Sequence, residues 1–235
     1  MSILNIAGYK FVPLSDLALL RADLLAVCRE LQLKGTILLS LEGINLTLAG
    51  ECADVESFKN YLKNNPFFSE MSFRESYSSF VPFKKMKIKL KKEIITMRCP
   101  EIQPDKHTAP RISPKQLKEW LDEERDFLLL DTRNDYEVDF GTFSRAKHFN
   151  LNHFCKFPQE AEKLERTKPI VMFCTGGVRC EKAGAYMVEA GFPEVYQLDG
   201  GILNYFSEVG GAHYDGECFV FDERVALDSR LQPKT

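Results

Sequence analysis

One short stretch, Cys174-Thr175-Gly176-Gly177-Val178-Arg179-Cys180, constrains this chain more than any other, because it joins an apolar run to the start of an amphipathic segment. The run Pro169-Ile170-Val171-Met172-Phe173 predicts a buried strand, and residues 181–190, closed by Gly191, predict a helix. Cys174 therefore falls where a strand stops and a helix begins. Gly176 and Gly177 let successive backbone N–H groups turn inward, and the helix N-terminus adds its positive end to the same spot. With the Arg179 guanidinium closing the loop, these surroundings favour thiolate over thiol and predict a nucleophile with a lowered pKa. Thr175, Gly176, Gly177, Val178 and Arg179 then form an anion- or substrate-binding loop around it. The competing reading is a glycine turn that carries a buried cysteine.

Flanking segments fit an open parallel sheet. Phe127-Leu128-Leu129-Leu130 predicts a second buried strand ending in Asp131-Thr132-Arg133, with Glu137 four residues beyond the arginine. Asp131 and Arg133 are set to brace loops at the carboxyl edge of that sheet, where open α/β folds bind ligands. For Glu137, bracing and a surface ion pair stand as equal readings. Val195-Tyr196-Gln197-Leu198 followed by Gly200-Gly201-Ile202 predicts a further strand and turn.

At 235 residues the chain is long for one core, which argues for two domains. Residues 112–212 alternate strand and helix, opening on a helix with Ser113 as N-cap, Pro114 at the first helical position and Gln116 at the capping-box position. Residues 98–111, with prolines at 100, 104 and 110 and no hydrophobic period, predict an interdomain linker. Residues 1–97 predict strand 3–12, helix 15–32, strand 35–41, a turn at Glu42-Gly43, strand 44–49, helix 53–64 and strands near 71–77 and 84–97. That β-α-β-β-α-β order indicates an α+β domain of ferredoxin-like or acylphosphatase-like type. Residues 213–235 are left as a carboxyl-terminal extension.

Composition excludes several classes. Residues 1–10 have no basic region followed by an apolar one, and no apolar run approaches spanning length, so the expectation is a cytoplasmic protein with no membrane association. Seven cysteines with no Cys-x-x-Cys pair argue against a disulfide framework. A net charge of −3 gives no global attraction to nucleic acid, so RNA binding would rest on a local patch. One exists: residues 84–92 hold six lysines and no acid, with Lys85, Lys87, Lys89 and Lys91 alternating against Met86, Ile88 and Leu90. RNA phosphate contact and protection of an edge strand compete as explanations. Tyr77, Phe80 and Phe83 are either core or base-stacking residues on the same surface.

Cys180 is either a resolving thiol for Cys174 or a small buried residue at the helix start. For Glu42-Gly43-Ile44-Asn45 a hairpin turn, with Gly43 at positive φ and Asn45 bonding locally, is favoured over a substrate role. For the charged triplet Asp222-Glu223-Arg224, a solvated ion pair is favoured over a reach of Asp222 or Arg224 to the active loop. No metal set is legible, because His213-Tyr214-Asp215 supplies only part of an iron triad. No Gly-x-Gly-x-x-Gly dinucleotide fingerprint is present either, so no cofactor is recognisable.

Cysteine phosphatases carry Cys-x5-Arg loops. The shorter Cys174-to-Arg179 loop, with Asp131-x-Arg133-x-x-x-Glu137 and Gly200-Gly201, instead resembles the rhodanese family, whose cysteine carries a persulfide sulfur. Adding Leu41-Glu42-Gly43-Ile44-Asn45, the lysine strand ending Glu93-Ile94-Ile95, and Phe219-Val220-Phe221-Asp222-Glu223-Arg224, the whole chain resembles the rhodanese-like tRNA uridine-34 hydroxylase family. That resemblance implies oxygen-dependent conversion of the wobble uridine to 5-hydroxyuridine, with Cys174 catalytic. It also implies the anticodon region of tRNA as partner, and molecular oxygen with an unidentified electron donor as co-reactants. Sulfurtransfer by a Cys174 persulfide is the alternative. Two departures stand out: Thr142 occupies a position where many members carry His, and the Cys-rich tail of many members does not follow residue 224 here.

Overall fold

Alternating apolar residues give Ile3–Phe11 (β1), Lys34–Ser40 (β2) and Gly43–Glu51 (β3) one buried face each, and amphipathic spacing gives the helices that cover it. The computed structural model describes residues 2–233 and separates the chain into two units. The first runs to Ile94 and includes Asp222–Arg224. Its elements are β1, helix Leu17–Glu30 (α1), β2, β3, helix Cys52–Lys63 (α2), Phe73–Ser78 (β4) and Met86–Leu90 (β5). The sheet order is β4-β1-β3-β2-β5, antiparallel except that β5 lies parallel to β2. Leu24 and Cys28 of α1 and Val55, Phe58 and Leu62 of α2 close over Ile6, Ile37 and Leu46 of the sheet. This is the expected acylphosphatase-like order with an added edge strand.

Three readings in this unit need correction. The strand expected over 84–97 ends at Leu90, which is itself 44% exposed. Beyond it the backbone finds side-chain partners in place of a ladder: Ile94 N–H donates to Glu42 Oε1 at 2.7 Å, and Asn45 Nδ2 donates to Ile94 O at 3.2 Å. Asn45 therefore holds a segment 49 residues away rather than its own turn. Gly43 does sit at φ 143°, where a Cβ would run into Lys10 O. Asp222 and Arg224, expected in solvent, form a buried pair, and Arg224 Nη1 donates to Ser76 Oγ in β4 at 2.7 Å.

The second unit spans Ile95–Phe221 and continues from Val225. It contains Arg111–Ile112 (β6), helix Pro114–Asp122 (α3), Leu128–Asp131 (β7), helix Asp135–Val138 (α4), Gly141–Phe143 (β8), Ala146–His148 (β9), helix Phe157–Ala161 (α5), Ile170–Phe173 (β10) and helix Val178–Glu189 (α6). Val195–Leu198 (β11), helix Gly201–Val209 (α7), Tyr214–Gly216 (β12), Cys218–Phe219 (β13) and Ala226–Leu227 (β14) complete it. Five strands in the order β6-β11-β10-β7-β9 pair in parallel, and β10 at the centre is buried throughout, as unbroken apolar strands of parallel sheets are. Ser113 Oγ accepts from Gln116 N–H at 3.2 Å, capping α3 as its sequence requires.

The stretch read as a linker is packed. Met97, Ile102 and Ala109 are buried in the core beneath α6, and Gln197 Nε2 donates to Ala109 O at 2.8 Å. Its prolines mark irregular backbone, while the apolar residues between them seat it. Likewise the extension from residue 213 is structural: β12 pairs with β8, and Tyr214, Cys218, Val220 and Leu227 enter the core.

Candidate active site

Cys174 follows the central strand β10 directly, and Val178 opens α6, three residues earlier than the sequence predicts. Arg179 and Cys180 thus lie in the first turn of that helix. Gly177 at φ 101° is its N-cap, and its N–H donates to Cys174 Sγ at 3.1 Å. A Cβ on Gly176 would meet nothing within 4 Å, so the loop stays open at that point. The turn Gly200-Gly201 fixes the loop from outside: Ile202 N–H and Leu203 N–H at the start of α7 donate to Cys174 O and Thr175 O at 2.9 and 3.1 Å.

The Cys174 sulfur is fully buried, which by itself raises a thiol pKa. That burial is outweighed by a hydrogen bond from the Cys180 thiol, the Arg179 charge, and the backbone N–H groups of Cys180 and Gly177. Together they bring Cys174 down to about 5. Cys180 moves the opposite way, pushed well above the thiol range by burial and by the neighbouring Cys174 charge. Cys180 therefore stays protonated and donates to the Cys174 thiolate, while its own sulfur lies 3.5 Å from Thr132 Oγ1. All seven cysteines are free.

Arg179 does not hold an empty fork toward the loop. Its Nη1 and Nη2 donate to Glu137 Oε2 and Oε1 at 2.5 and 2.7 Å, with both side chains buried. Glu137 is thus a brace and not a surface residue. It also accepts from Asn134 N–H at 3.1 Å, closing a capping box on α4, and from Thr175 Oγ1 at 3.4 Å. A parallel clamp joins Arg133 to Asp131, both inaccessible, with Nη2 to Oδ2 at 2.7 Å. The same Arg133 Nη2 donates to Gly141 O at 2.6 Å, tying β7 to β8. Thr142 completes this clamp by donating its hydroxyl to Asp131 Oδ2 at 2.8 Å, so the residue that departs from the common pattern still supplies a donor.

Sequence reasoning missed Cys218, which is buried in the core of this unit, whose pKa burial pushes up to about 12, and whose thiol donates to Phe219 O at 3.7 Å. Nothing local in the sequence marks it. Lys85, Lys87, Lys89 and Lys91 are exposed at the β5 edge of the first unit's sheet. Tyr77 lies on β4 at the opposite edge, so it does not share the lysine surface. His213 faces Asp122 at 2.7 Å. Among the described residues no group of three or more His, Cys, Asp or Glu is gathered as for a metal, and no helix is long and apolar enough to cross a membrane.

A loop thiolate at the carboxyl end of the central parallel strand, backed by Asp-Arg and Glu-Arg clamps, defines a rhodanese-like domain. Family comparison agrees, matching residues 113–208 to the rhodanese-like domain and residues 3–94 to the UPF0176 acylphosphatase-like domain. The particular assignment comes from relatives named tRNA uridine(34) hydroxylase. The protein of Cupriavidus pinatubonensis is 50% identical over 99% of this chain and 86% of its own length. That of Thiobacillus denitrificans is 48% identical over 99% and 97%, and that of Bordetella petrii 48% identical over 99% and 95%. The chain belongs to the tRNA uridine(34) hydroxylase family.

Proposed function

We propose that this chain hydroxylates uridine 34 of tRNA at C5, with Cys174 as the nucleophile. Kinship over nearly the whole chain supports the enzyme class, and the thiolate geometry supports the role of Cys174. Addition of the Cys174 sulfur to C6 of the uracil ring makes C5 electron-rich. Molecular oxygen then delivers one atom to C5, and an external two-electron donor supplies the two electrons that, with two protons, carry the other atom to water. Loss of the C5 proton and departure of the sulfur restore the ring. The Gly177 N–H, the Cys180 thiol and Arg179 stabilise the sulfur as an anion before attack and after release. A wobble base is reached in the anticodon loop, and such a substrate suits a cytoplasmic enzyme.

The observation that carries this reading is a cysteine held as thiolate in a chain whose relatives bear the hydroxylase name. Mass spectrometry of wobble nucleosides tests it. Deleting the gene should remove 5-hydroxyuridine and its derivatives, and a Cys174→Ser gene should not restore them. Unchanged tRNA with loss of thiosulfate-dependent sulfur transfer would assign a persulfide-carrying sulfurtransferase instead.

A further inference from the structure

Beside the catalytic loop lies a group of aromatic side chains that neither the core nor the thiolate uses. Tyr136 belongs to α4 and Phe140 follows it, while Phe219 and Phe221 lie on and after β13. The Phe219 ring is 5.5 Å from Tyr136, 5.3 Å from Phe140 and 5.2 Å from Phe221, two of these contacts being edge-on. Tyr136, Phe140 and Phe221 are nonetheless 42%, 38% and 56% exposed. Rings packed edge to face yet left open to water are fixed in position without being buried. The backbone beneath is held firmly, since Glu217 N–H donates to Phe140 O at 2.8 Å and Arg133 grips Gly141 O.

The segment that carries Tyr136 and Phe140 touches the Cys174 loop through its next residue, and Phe219 and Phe221 join it by ring contact. Tyr136 adjoins Glu137, which forks onto Arg179 and accepts from Thr175 Oγ1 at 3.4 Å. A base that reaches the buried Cys174 sulfur must leave its stack, and its neighbours in a single-stranded loop then lose stacking partners. Aromatic rings next to the loop replace those partners. We infer that Tyr136, Phe140, Phe219 and Phe221 form a platform on which unpaired bases flanking the target uridine stack. This inference rests on the tRNA reading and adds to it the surface that receives the RNA.

The test uses the full chain and an anticodon stem-loop RNA carrying 2-aminopurine beside the wobble uridine. Stacking on the rings should quench its fluorescence. Tyr136→Ala with Phe221→Ala should remove the quenching and weaken binding roughly tenfold or more, whereas Tyr136→Phe and Phe221→Tyr should retain both. Cys174 thiolate absorbance should match wild type in all variants, showing that the loop is intact. Wild-type affinity and quenching in the double alanine variant would overturn the platform, even if the enzyme modifies tRNA normally. Loss of self-association in that variant, with RNA binding unchanged, would overturn it in favour of contact between copies of this chain. If quenching depends on the rings but the wild-type enzyme leaves the wobble uridine unmodified, the platform stands and the hydroxylase reading falls.

Discussion

Arg179 and Glu137 are joined by two parallel hydrogen bonds of 2.5 and 2.7 Å, and neither side chain reaches solvent. They sit 42 residues apart, in the first turn of α6 and in α4. The pair orients the guanidinium so that its charge supports the Cys174 thiolate. It also fixes the loop that bears Thr175. A buried pair of this kind contributes little compared with a well-packed apolar substitute, but breaking it leaves a charge stranded.

Glu137→Ala should therefore lose about 3–5 kcal/mol of stability in urea unfolding, the typical cost of an orphaned buried charge. Removing both partners in Glu137→Ala with Arg179→Ala should cost less than the sum of the single changes by at least about 1 kcal/mol. Strict additivity would show that the two bonds do not act together.

Thiolate absorbance across a pH series separates the roles of the two loop cysteines. Cys180→Ala removes a donor to an anion, a loss of about 1.5–3 kcal/mol, and should raise the Cys174 pKa by roughly one to two units. Cys180→Ser keeps an O–H donor and should shift it less. The stability linkage has a definite sign. A folded-state pKa of about 5 lies below the unfolded thiol value, so the Cys174 contribution is fully present at high pH. It fades between roughly pH 8.5 and the folded value as pH falls. The stability advantage of wild type over Cys174→Ser should shrink across that window, and at higher pH in Cys180→Ala. A Cys174 titration that ignores position 180 would remove the thiol from this account.

Local signals carried much of this in the sequence. Strand, glycine pair, arginine and helix start are contiguous from 169 to 190, so the thiolate loop was legible without tertiary information. Glu137 was ambiguous because its partner is distant in the chain; the capping-box spacing Asn134-x-x-Glu137, which closes the helix placing it there, is a signal that went unread. The false linker arose because prolines report irregular backbone and say nothing about burial. Ile102 and Ala109 between them reach the core. Cys218 and the aromatic group had no period to betray them, since Cys218 lies on the two-residue strand β13 and Phe219 meets Tyr136 and Phe140, which lie far from it in the chain.

Gly176 in the Cys174 loop and Gly201 at the start of α7 should respond in opposite ways to one methyl group. Gly201 has φ +66°, and a Cβ there would collide with Cys174 O, so Gly201→Ala should cost at least about 2 kcal/mol and distort the Cys174 loop. At Gly176 nothing lies within 4 Å of the added carbon. Gly176→Ala should therefore unfold within about 0.5 kcal/mol of wild type, and if the proposed substrate enters beside the Cys174 sulfur, the methyl should lower activity. Thermal unfolding and nucleoside analysis measure the two effects separately. Equal behaviour of the two variants would contradict the loop geometry.

Lys85, Lys87, Lys89 and Lys91 are exposed along the β5 edge, where positive charge either meets RNA phosphates or guards the edge against other strands. Salt dependence distinguishes these roles. If the lysines neutralise phosphates, reversing Lys87 and Lys89 to Glu should weaken tRNA binding. It should also reduce the slope of log affinity against log salt by about one unit for each phosphate that is no longer neutralised. Edge protection predicts instead that tRNA affinity and slope stay as they are while the variant remains monodisperse, since glutamate guards an edge nearly as well. The absorbance of the Cys174 thiolate provides the control, because these lysines belong to the first unit and the sulfur to the second. An unchanged slope would move phosphate binding to another surface and leave β5 as a guarded edge.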